Sequence, residues 1–280
     1  MNLRNVGMFA TAPVTPSIAK LPRLDQYLGP VKAGNLRAAS KISNGMRSGF
    51  PSQEYIDFDS CKLILICVPD RMVHGTVQEL CDANLQWKGK SVVLCDSRWD
   101  SADLIILEKL GAHTGSMSLI DGFDPKRFIM EGHPKAAIEV RRFLENCESK
   151  LIKIPAGKKA LFSAGLGFAG SLAMPLMAAS AECLRKAGLA PEVAAAVAER
   201  TLERTMRSFK KAGKQGWTGA LASRDLESVR RQMAALGLEN PILGAYFAET
   251  ALMALKIFGE DAAWLEELQH TPKAKAASAT

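Results

Sequence analysis

Short apolar runs alternate with amphipathic stretches through the first half of the chain. The runs at 62–68 (KLILICV) and 91–95 (SVVLC) are almost continuously apolar, which is typical of parallel strands buried on both faces. Helical periodicity follows at 72–84 and 101–110. Weaker strand patterns lie at 5–10, 28–33, 112–118 and 127–131, and a helical pattern with proline in its first turn lies at 134–147. This alternation predicts an α/β domain with a doubly wound, mainly parallel, Rossmann-like sheet.

The alternation stops near Ile154, and the pattern is helical almost throughout from Lys158. A chain of 280 residues has the length of two domains. We therefore expect a Rossmann-like domain at 1–153, an all-helical domain at 154–268 and a disordered tail at 269–280. Late helices are predicted at 223–236 and 241–258, and Asn240 is a candidate N-cap for the second of them.

One segment, 160–181, has no charged residue and is long enough to cross a bilayer. It is rich in alanine, glycine and serine, contains Pro175, and is only modestly hydrophobic. These features predict a buried central helix of a soluble domain, not a membrane span.

Charge and cysteine usage narrow the partners and the compartment. The net charge is +7, but no nucleic-acid motif accompanies the basic residues, so we expect no nucleic-acid partner. A phosphate-bearing cofactor suits a mildly basic protein. The six cysteines form no CxxC pair, and the four histidines lack ligand-like spacing to them, so no metal is expected. With no signal-peptide pattern at the first residues, these cysteines indicate a reduced, cytoplasmic protein.

The turn after the first strand is where a Rossmann domain holds the dinucleotide, on a G-x-G-x-x-G pattern. Here the three glycines are replaced by Ala10, Ala12 and Thr15. Their side chains take space that a pyrophosphate would need, and two prolines remove amide donors. The hydroxyl of Thr11 lies within the same turn. Two interpretations stay open: a linking turn only, or an altered cofactor site made of Ala10, Thr11, Ala12 and Thr15.

The end of the second strand selects between NAD and NADP, because it lies beside the ribose. It is followed by Asn35 and Arg37, with Lys41 beyond, and no acidic residue. If a dinucleotide binds, these residues favour the 2′-phosphate of NADP. A solvated loop is the alternative.

Five segments together resemble a known family. They are LILICVPDRMV (63–73), KSVVLCDS (90–97), GSMSLIDGF (115–123), KALFSAGLGFAGSL (159–172) and TGALASRD (218–225). They are similar, in this order, to oxidoreductases in which a Rossmann-like domain precedes a helical domain of unknown function 2520. That family is related to pyrroline-5-carboxylate reductase, ketopantoate reductase and 6-phosphogluconate dehydrogenase-like proteins.

The resemblance implies an NAD(P)-dependent oxidoreductase that binds a small polar substrate in a cleft between its domains. It places the cofactor over Val68, Pro69 and Asp70, with the nicotinamide also near Asp96 and Ser97. The catalytic positions it implies are Lys159, Ser118, Ser163 and Ser171, and it implies a substrate-side turn at Thr218, Gly219, Arg224 and Asp225.

The chain departs from the family at the groups suited to proton transfer. Ser118-Leu119 stands where the family has His-Pro, Phe162-Ser163 where it has Tyr-His, and Ser171 where it has Asn. Both histidines that could exchange a proton near neutral pH are therefore replaced. The alternative function is a non-catalytic Rossmann-fold descendant that binds a ligand or a partner through a degenerate cofactor site. In either case, the apolar stretches 160–181 and 242–258 predict a homodimer.

Overall fold

The computed structural model describes residues 4–11 and 17–259, and the chain divides into two compact units between Gly165 and Leu166. The first unit contains the sheet, and the second contains only helices among its described residues. The described strands are β1 (Val6–Ala10), β2 (Leu28–Lys32), β3 (Phe50–Ser52), β4 (Leu63–Cys67), β5 (Ser91–Cys95), β6 (His113–Ile120), β7 (Arg127–Gly132) and β8 (Lys150–Lys153).

The strands form one sheet in the order β3-β2-β1-β4-β5-β6-β7-β8. All neighbouring pairs are parallel except β6 and β7, which are antiparallel. The first six strands follow the 3-2-1-4-5-6 order of doubly wound dinucleotide-binding folds, so the chain direction across the sheet reverses between β1 and β4. The predicted fold class is confirmed.

Helices cover both faces of the sheet because its central strands are apolar on both sides. All five residues of β4 and of β5 are buried. The first unit contains α1 (Leu24–Tyr27), α2 (Leu36–Met46), α3 (Val73–Asp82), α4 (Ile105–Lys109) and α5 (Pro134–Asn146). One face packs on α1, α2 and α5, and the other packs on α3, α4 and the short 3-10 helix Tyr55–Phe58.

The elements of the first unit that the hydrophobic pattern does not predict include β3, β8 and α2. β3 has three residues with a proline at its centre, and β8 (KLIK) is a largely exposed edge strand. α2 begins directly after Asn35, whose side chain accepts a hydrogen bond from the Ala38 amide at 2.8 Å. The segment 35–41 is therefore an N-cap and the first turns of a helix, and not the solvated loop that was the alternative.

The helical part contains α6 (Lys159–Ala169), α7 (Ala173–Lys186), α8 (Pro191–Ala212), α9 (Leu226–Glu239) and α10 (Pro241–Phe258). Asn240 caps α10 as predicted, accepting hydrogen bonds from the Ile242 and Leu243 amides. The core of the second unit is small: its central cluster contains the buried side chains of Val229, Ala251 and Leu255.

The prediction of a buried central helix at 160–181 was wrong. The segment forms two helices separated at 170–172, and α7 contains no buried residue. Phe168 is 68% exposed and Met174 is 66% exposed. The described helices of the second unit bury few side chains against one another, so the apolar residues of this segment stay exposed. By length and composition alone, the described stretches Lys159–Lys186 and Pro241–Phe258 could cross a membrane, a test that core helices of soluble proteins also pass.

We predict that replacing Gly132 by alanine destabilises the first unit. Gly132 ends β7 with φ of +120°, and an added Cβ would lie 2.6 Å from both Gly115 Cα and the Thr114 carbonyl oxygen. Backbone strain and overpacking together should lower the free energy of unfolding by about 3 kcal/mol. The measurement is urea denaturation followed by circular dichroism.

The matched control is Gly75→Ala within α3, where an added Cβ meets nothing within 4 Å. It should raise the free energy of unfolding by about 0.5–1 kcal/mol, since alanine is the better helix former. Equal effects of the two substitutions would contradict the packing described for Gly132.

Candidate functional site

A crevice is expected where the chain direction across the sheet reverses, at the carboxyl ends of β1 and β4. Ala10 and Cys67, the last residues of these strands, are register partners. The connections that leave them cover opposite faces of the sheet. The loops after β1, β4 and β5 therefore form one edge, which we call the carboxyl edge and define by Thr11, 68–70 and 96–99.

The turn after β1 contains two buried hydroxyl groups without a partner. Thr11 Oγ1 and Ser17 Oγ are inaccessible to solvent, and neither has a hydrogen-bond partner in the structure. Ala10 is buried as the last residue of β1, with its methyl group in the core. Ala12 and Thr15, the other predicted cofactor residues of this turn, lie outside the described residues. Unpartnered buried hydroxyls are costly, so Thr11 and Ser17 are candidate hydrogen-bond partners of a polar ligand.

Asp96, directly after β5, places a carboxylate against the same turn. Its Oδ2 accepts a hydrogen bond from the Ser17 amide at 2.8 Å, and its Oδ1 accepts from the Leu119 amide at 3.5 Å. The backbone of Asp96 is left-handed, with φ of 55°. Asp96 thus connects the start of the 3-10 helix Ser17–Lys20 to β5 and β6.

Asp70 joins the loops after β4 and β5. Its Oδ1 accepts hydrogen bonds from Ser97 Oγ at 2.6 Å and from the Arg98 amide at 3.1 Å. Its Oδ2 lies 3.4 Å from the Arg98 Nε, and its carbonyl accepts from the Trp99 indole at 3.1 Å. Val68 is buried, and Asp70 is held by the hydrogen bonds above. The predicted Val-Pro-Asp turn therefore lies along the carboxyl edge, bound to the loop after β5.

Lys159, a predicted catalytic residue, is only 2% exposed. Its ammonium donates hydrogen bonds to the carbonyls of Ser97 and Trp99 and to Ser116 Oγ. A lysine has three N–H donors, and all three are bound here. Burial lowers the pKa of Lys159, while the nearby carboxylates of Glu131, Asp96 and Asp70 and the Cys95 thiol raise it. In this arrangement Lys159 positions the loop after β5.

Glu131 is a buried carboxylate that raises the pKa of Lys159, and it was not predicted. It is 1% exposed and accepts hydrogen bonds from the Ser101 amide at 2.6 Å and from Ser101 Oγ at 2.8 Å. It also accepts from the Gly157 amide at 3.3 Å. Its position inside β7, within an apolar run, gave no sequence signal for this role.

A positive group lies at the end of β2. Lys32 is 9% exposed, and its ammonium lies 4.7 Å from the Tyr55 ring centroid and 3.7 Å from a Glu79 oxygen. Arg37, on the first turn of α2, is exposed. The position of Lys32 as the last residue of the second strand is the signal that could have identified it.

The other predicted site residues fall in two places. Ser118 is half-buried on β6, and Ser163 is exposed on α6. In the second unit, Ser171 Oγ donates to the Gly167 carbonyl at 3.3 Å, and Gly219 has φ of +103° in the turn that contains Thr218. Asp225, which follows Arg224, caps α9 by accepting from the Ser228 amide at 3.0 Å, and hydrogen bonds from Ser228 lower the pKa of Asp225. Their meeting in one cleft stays a prediction.

Two further observations bear on the chemistry of the carboxyl edge. His74, on the first turn of α3, is exposed and packs its ring 5.2 Å from that of Trp99, and it was not singled out from the sequence. Among the described residues, no group of three or more histidine, cysteine or acidic side chains could hold a metal ion.

Comparison with known proteins supports the fold and the family resemblance. Residues 127–253, from β7 into α10, match the family described as domain of unknown function DUF2520, which confirms the predicted resemblance. No curated protein sequence matches the chain.

Solved structures with the same fold include several reductases. A candidate NADP oxidoreductase from Bacteroides fragilis is 13% identical, with a TM-score of 0.68 over 90% of this chain and 97% of that one. A reductive aminase from Aspergillus terreus, solved with NADPH and ethyl-5-oxohexanoate, is 15% identical, with a TM-score of 0.56 over 95% and 91%. A pyrroline-5-carboxylate reductase from Coxiella burnetii is 13% identical, with a TM-score of 0.51 over 97% and 100%. At these identities the likeness shows the fold.

We predict that Lys159→Met destabilises the protein strongly. Methionine keeps the apolar stem but removes the donor to the Ser97 carbonyl and to Ser116 Oγ, while the Trp99 carbonyl still accepts from Ser116 Oγ. The free energy of unfolding should fall by about 3 kcal/mol, as for other broken buried polar contacts. Chemical denaturation gives the value.

Lys158→Met is the control, because the neighbouring Lys158 is exposed. It should change the free energy of unfolding by less than about 0.5 kcal/mol. A Lys159→Met protein as stable as this control would show that the buried ammonium does not hold the loop.

Proposed function

We propose that the protein is an NADP-dependent oxidoreductase that acts on a small polar molecule. The observation that carries the proposal is the pair of buried, unpartnered hydroxyls of Thr11 and Ser17, which flank the turn after β1 where this fold holds a dinucleotide. The NADP oxidoreductases among its structural neighbours support the same assignment.

The donors at this edge fit a dinucleotide in two of its parts. The hydroxyls of Thr11 and Ser17 can donate to a phosphate oxygen. At the end of β2, the exposed Arg37 suits the 2′-phosphate. Lys32 adds a second basic side chain there, although its ammonium lies 3.7 Å from a Glu79 oxygen. The carboxylate of Asp96 disfavours a bound phosphate, because it is negatively charged and already accepts a hydrogen bond from the Ser17 amide.

The cofactor would supply the hydride, and this chain would supply position and electrostatics. Asp70 and Lys159 lock the loops after β4 and β5 together, which fixes the wall against which the nicotinamide end would lie. Because all three donors of Lys159 are engaged, the exposed His74 imidazole beside Trp99 is the better candidate for proton transfer.

A second candidate is the non-catalytic descendant, favoured by the Asp96 contact with Ser17 and by the missing glycines. It keeps the sheet and the locked loops but binds no dinucleotide. Cofactor binding therefore separates the two functions.

We also propose that the protein is a cytoplasmic homodimer. Its six cysteines are free, and four of them are buried. In the second unit, α7, α9 and α10 enclose a groove of about 730 Å³ with Leu176, Leu236 and Phe247 among its walls. Large apolar side chains are also exposed on the strongly charged α8, such as Phe209 at 60%. Charged residues around such an apolar surface favour a protein partner over the interior of a bilayer.

We predict that the protein binds NADPH more tightly than NADH and that Arg37→Ser removes this preference. Losing one charge-assisted contact to the 2′-phosphate should weaken NADPH binding about tenfold and leave NADH binding unchanged. Isothermal titration calorimetry with both nucleotides measures this difference.

Arg47→Asn is the matched control, since Arg47 is exposed at the opposite end of α2. It should leave both affinities unchanged. Absence of binding to either nucleotide at millimolar concentration would refute the proposed oxidoreductase and favour the second candidate.

We predict that the purified protein has twice the mass of the chain in multi-angle light scattering at micromolar concentration. The uncovered apolar surface of the second unit requires a partner in water. A single-chain mass at that concentration would overturn the homodimer.

A further inference from the structure

Three polar side chains from different elements meet at the carboxyl end of β2. Lys32 is the last residue of β2, Tyr55 begins the 3-10 helix Tyr55–Phe58, and Glu79 lies on α3. The Lys32 ammonium lies 3.7 Å from Glu79 Oε1 and 4.7 Å from the centroid of the Tyr55 ring. It also donates a hydrogen bond to the Gln53 carbonyl at 3.3 Å. A carboxylate, an aromatic ring and a carbonyl therefore surround this ammonium.

Tyr55 holds the carboxylate of Glu79 beside Lys32. Its hydroxyl donates at 2.5 Å to Glu79 Oε1, the same oxygen that faces the ammonium. Burial and this hydrogen bond to a negatively charged group raise the pKa of Tyr55, so the phenol stays protonated and remains a donor. The Tyr55 ring in turn stacks on Phe9 of β1, with the ring centroids 6.3 Å apart. The position of Glu79 is thus supported by contacts that lead back to the sheet.

The end of β2 is the place where folds of this strand order distinguish the two nicotinamide dinucleotides. An acidic residue there binds the 2′-hydroxyl of the adenosine ribose, and a basic residue accommodates the 2′-phosphate. In the sequence this position is basic, because it is Lys32. In the folded chain α3 also supplies a carboxylate there, that of Glu79. The two charges oppose each other at the same point of the sheet.

The carboxylate is the more accessible partner of this ion pair. The exposed fraction of the side chain is 52% for Glu79 and 11% for Lys32. An incoming 2′-phosphate therefore meets a like charge, and it must compete with Glu79 for the ammonium. A nucleotide that lacks the 2′-phosphate meets neither obstacle.

We propose that Glu79 opposes the 2′-phosphate of the cofactor by occupying the Lys32 ammonium, and so limits the preference of this chain for NADP over NAD. The inference rests on the proposed function and concerns the specificity of that site. Arg37 favours the 2′-phosphate, and Glu79 sets how large the resulting preference is. The residues that carry this inference all lie in the described part of the first unit, on β2, the 3-10 helix Tyr55–Phe58 and α3.

The test measures NADPH and NADH affinities by calorimetry for wild type, Glu79→Gln, Lys32→Gln and Asp82→Asn. Glutamine at 79 still accepts from the Tyr55 hydroxyl but carries no charge, and glutamine at 32 keeps an N–H donor for the Gln53 carbonyl. Asp82→Asn is the matched control. Asp82 is exposed one turn further along α3, and its carboxylate accepts from Gln78 at 3.0 Å.

The proposal expects Glu79→Gln to tighten NADPH binding about fivefold, the order of one partly exposed ion pair, and to leave NADH binding unchanged. Lys32→Gln is expected to weaken NADPH binding by a similar factor, also without effect on NADH. Asp82→Asn is expected to match wild type with both nucleotides.

Two smaller probes place the effect at the 2′-phosphate. Adenosine 2′-monophosphate carries this phosphate without the diphosphate, and adenosine 5′-monophosphate lacks it. Glu79→Gln should tighten binding of the first by the same factor as NADPH and leave binding of the second unchanged.

Four results would overturn the proposal. Equal NADPH affinity for wild type and Glu79→Gln would refute the role of Glu79 and leave the proposed function intact. Weaker binding of both nucleotides to Glu79→Gln would make Glu79 a ligand of the ribose instead. An equal gain in NADH affinity, or in Asp82→Asn, would show a general effect of removing negative charge. Absence of NADPH and NADH binding to every variant would refute the proposed function together with this inference.

Discussion

The arrangement of the carboxyl edge depends on one buried ammonium group. Lys159 begins α6, yet its side chain reaches the loop after β5 and the middle of β6, where it binds Ser97, Trp99 and Ser116. Without this group, the Ser97 carbonyl and the Ser116 hydroxyl oxygen would lose their ammonium donor, and the Trp99 carbonyl would keep only its hydrogen bond from Ser116 Oγ. Glu131, bound to Ser101 and Gly157, supplies a nearby negative charge that makes the buried ammonium tolerable. The wall of the candidate site is therefore fixed before any ligand arrives.

The opposite end of β5 is fixed in the same manner. Lys90 precedes the strand, is 6% exposed, and donates to the carbonyls of Phe58, Asp59 and Cys61. Burial lowers its pKa, as it does that of Lys159, while it raises the pKa of the neighbouring Cys61 thiol to about 12. A buried ammonium thus binds the loops at each end of this central strand.

The sequence predicts the elements that a pattern of neighbouring residues determines. β4 and β5 are continuous apolar runs, and the cap of α10 at Asn240 is a local pattern, so all three were predictable. β3 and β8 were not, because short or exposed edge strands bury too little apolar surface to produce a pattern. The burial of Lys159 depends on contacts about 60 and 43 positions away, which no window along the chain contains. The position of the Asp96 carboxylate likewise depends on its hydrogen bond from the Ser17 amide, 79 positions earlier.

The central claim is that the carboxyl edge between β1 and β4 is a dinucleotide site. The most direct measurement is a crystal structure of the protein soaked with millimolar NADPH. The account predicts the diphosphate beside Thr11 and Ser17 and the 2′-phosphate near Lys32 and Arg37. An edge without nucleotide density would contradict it.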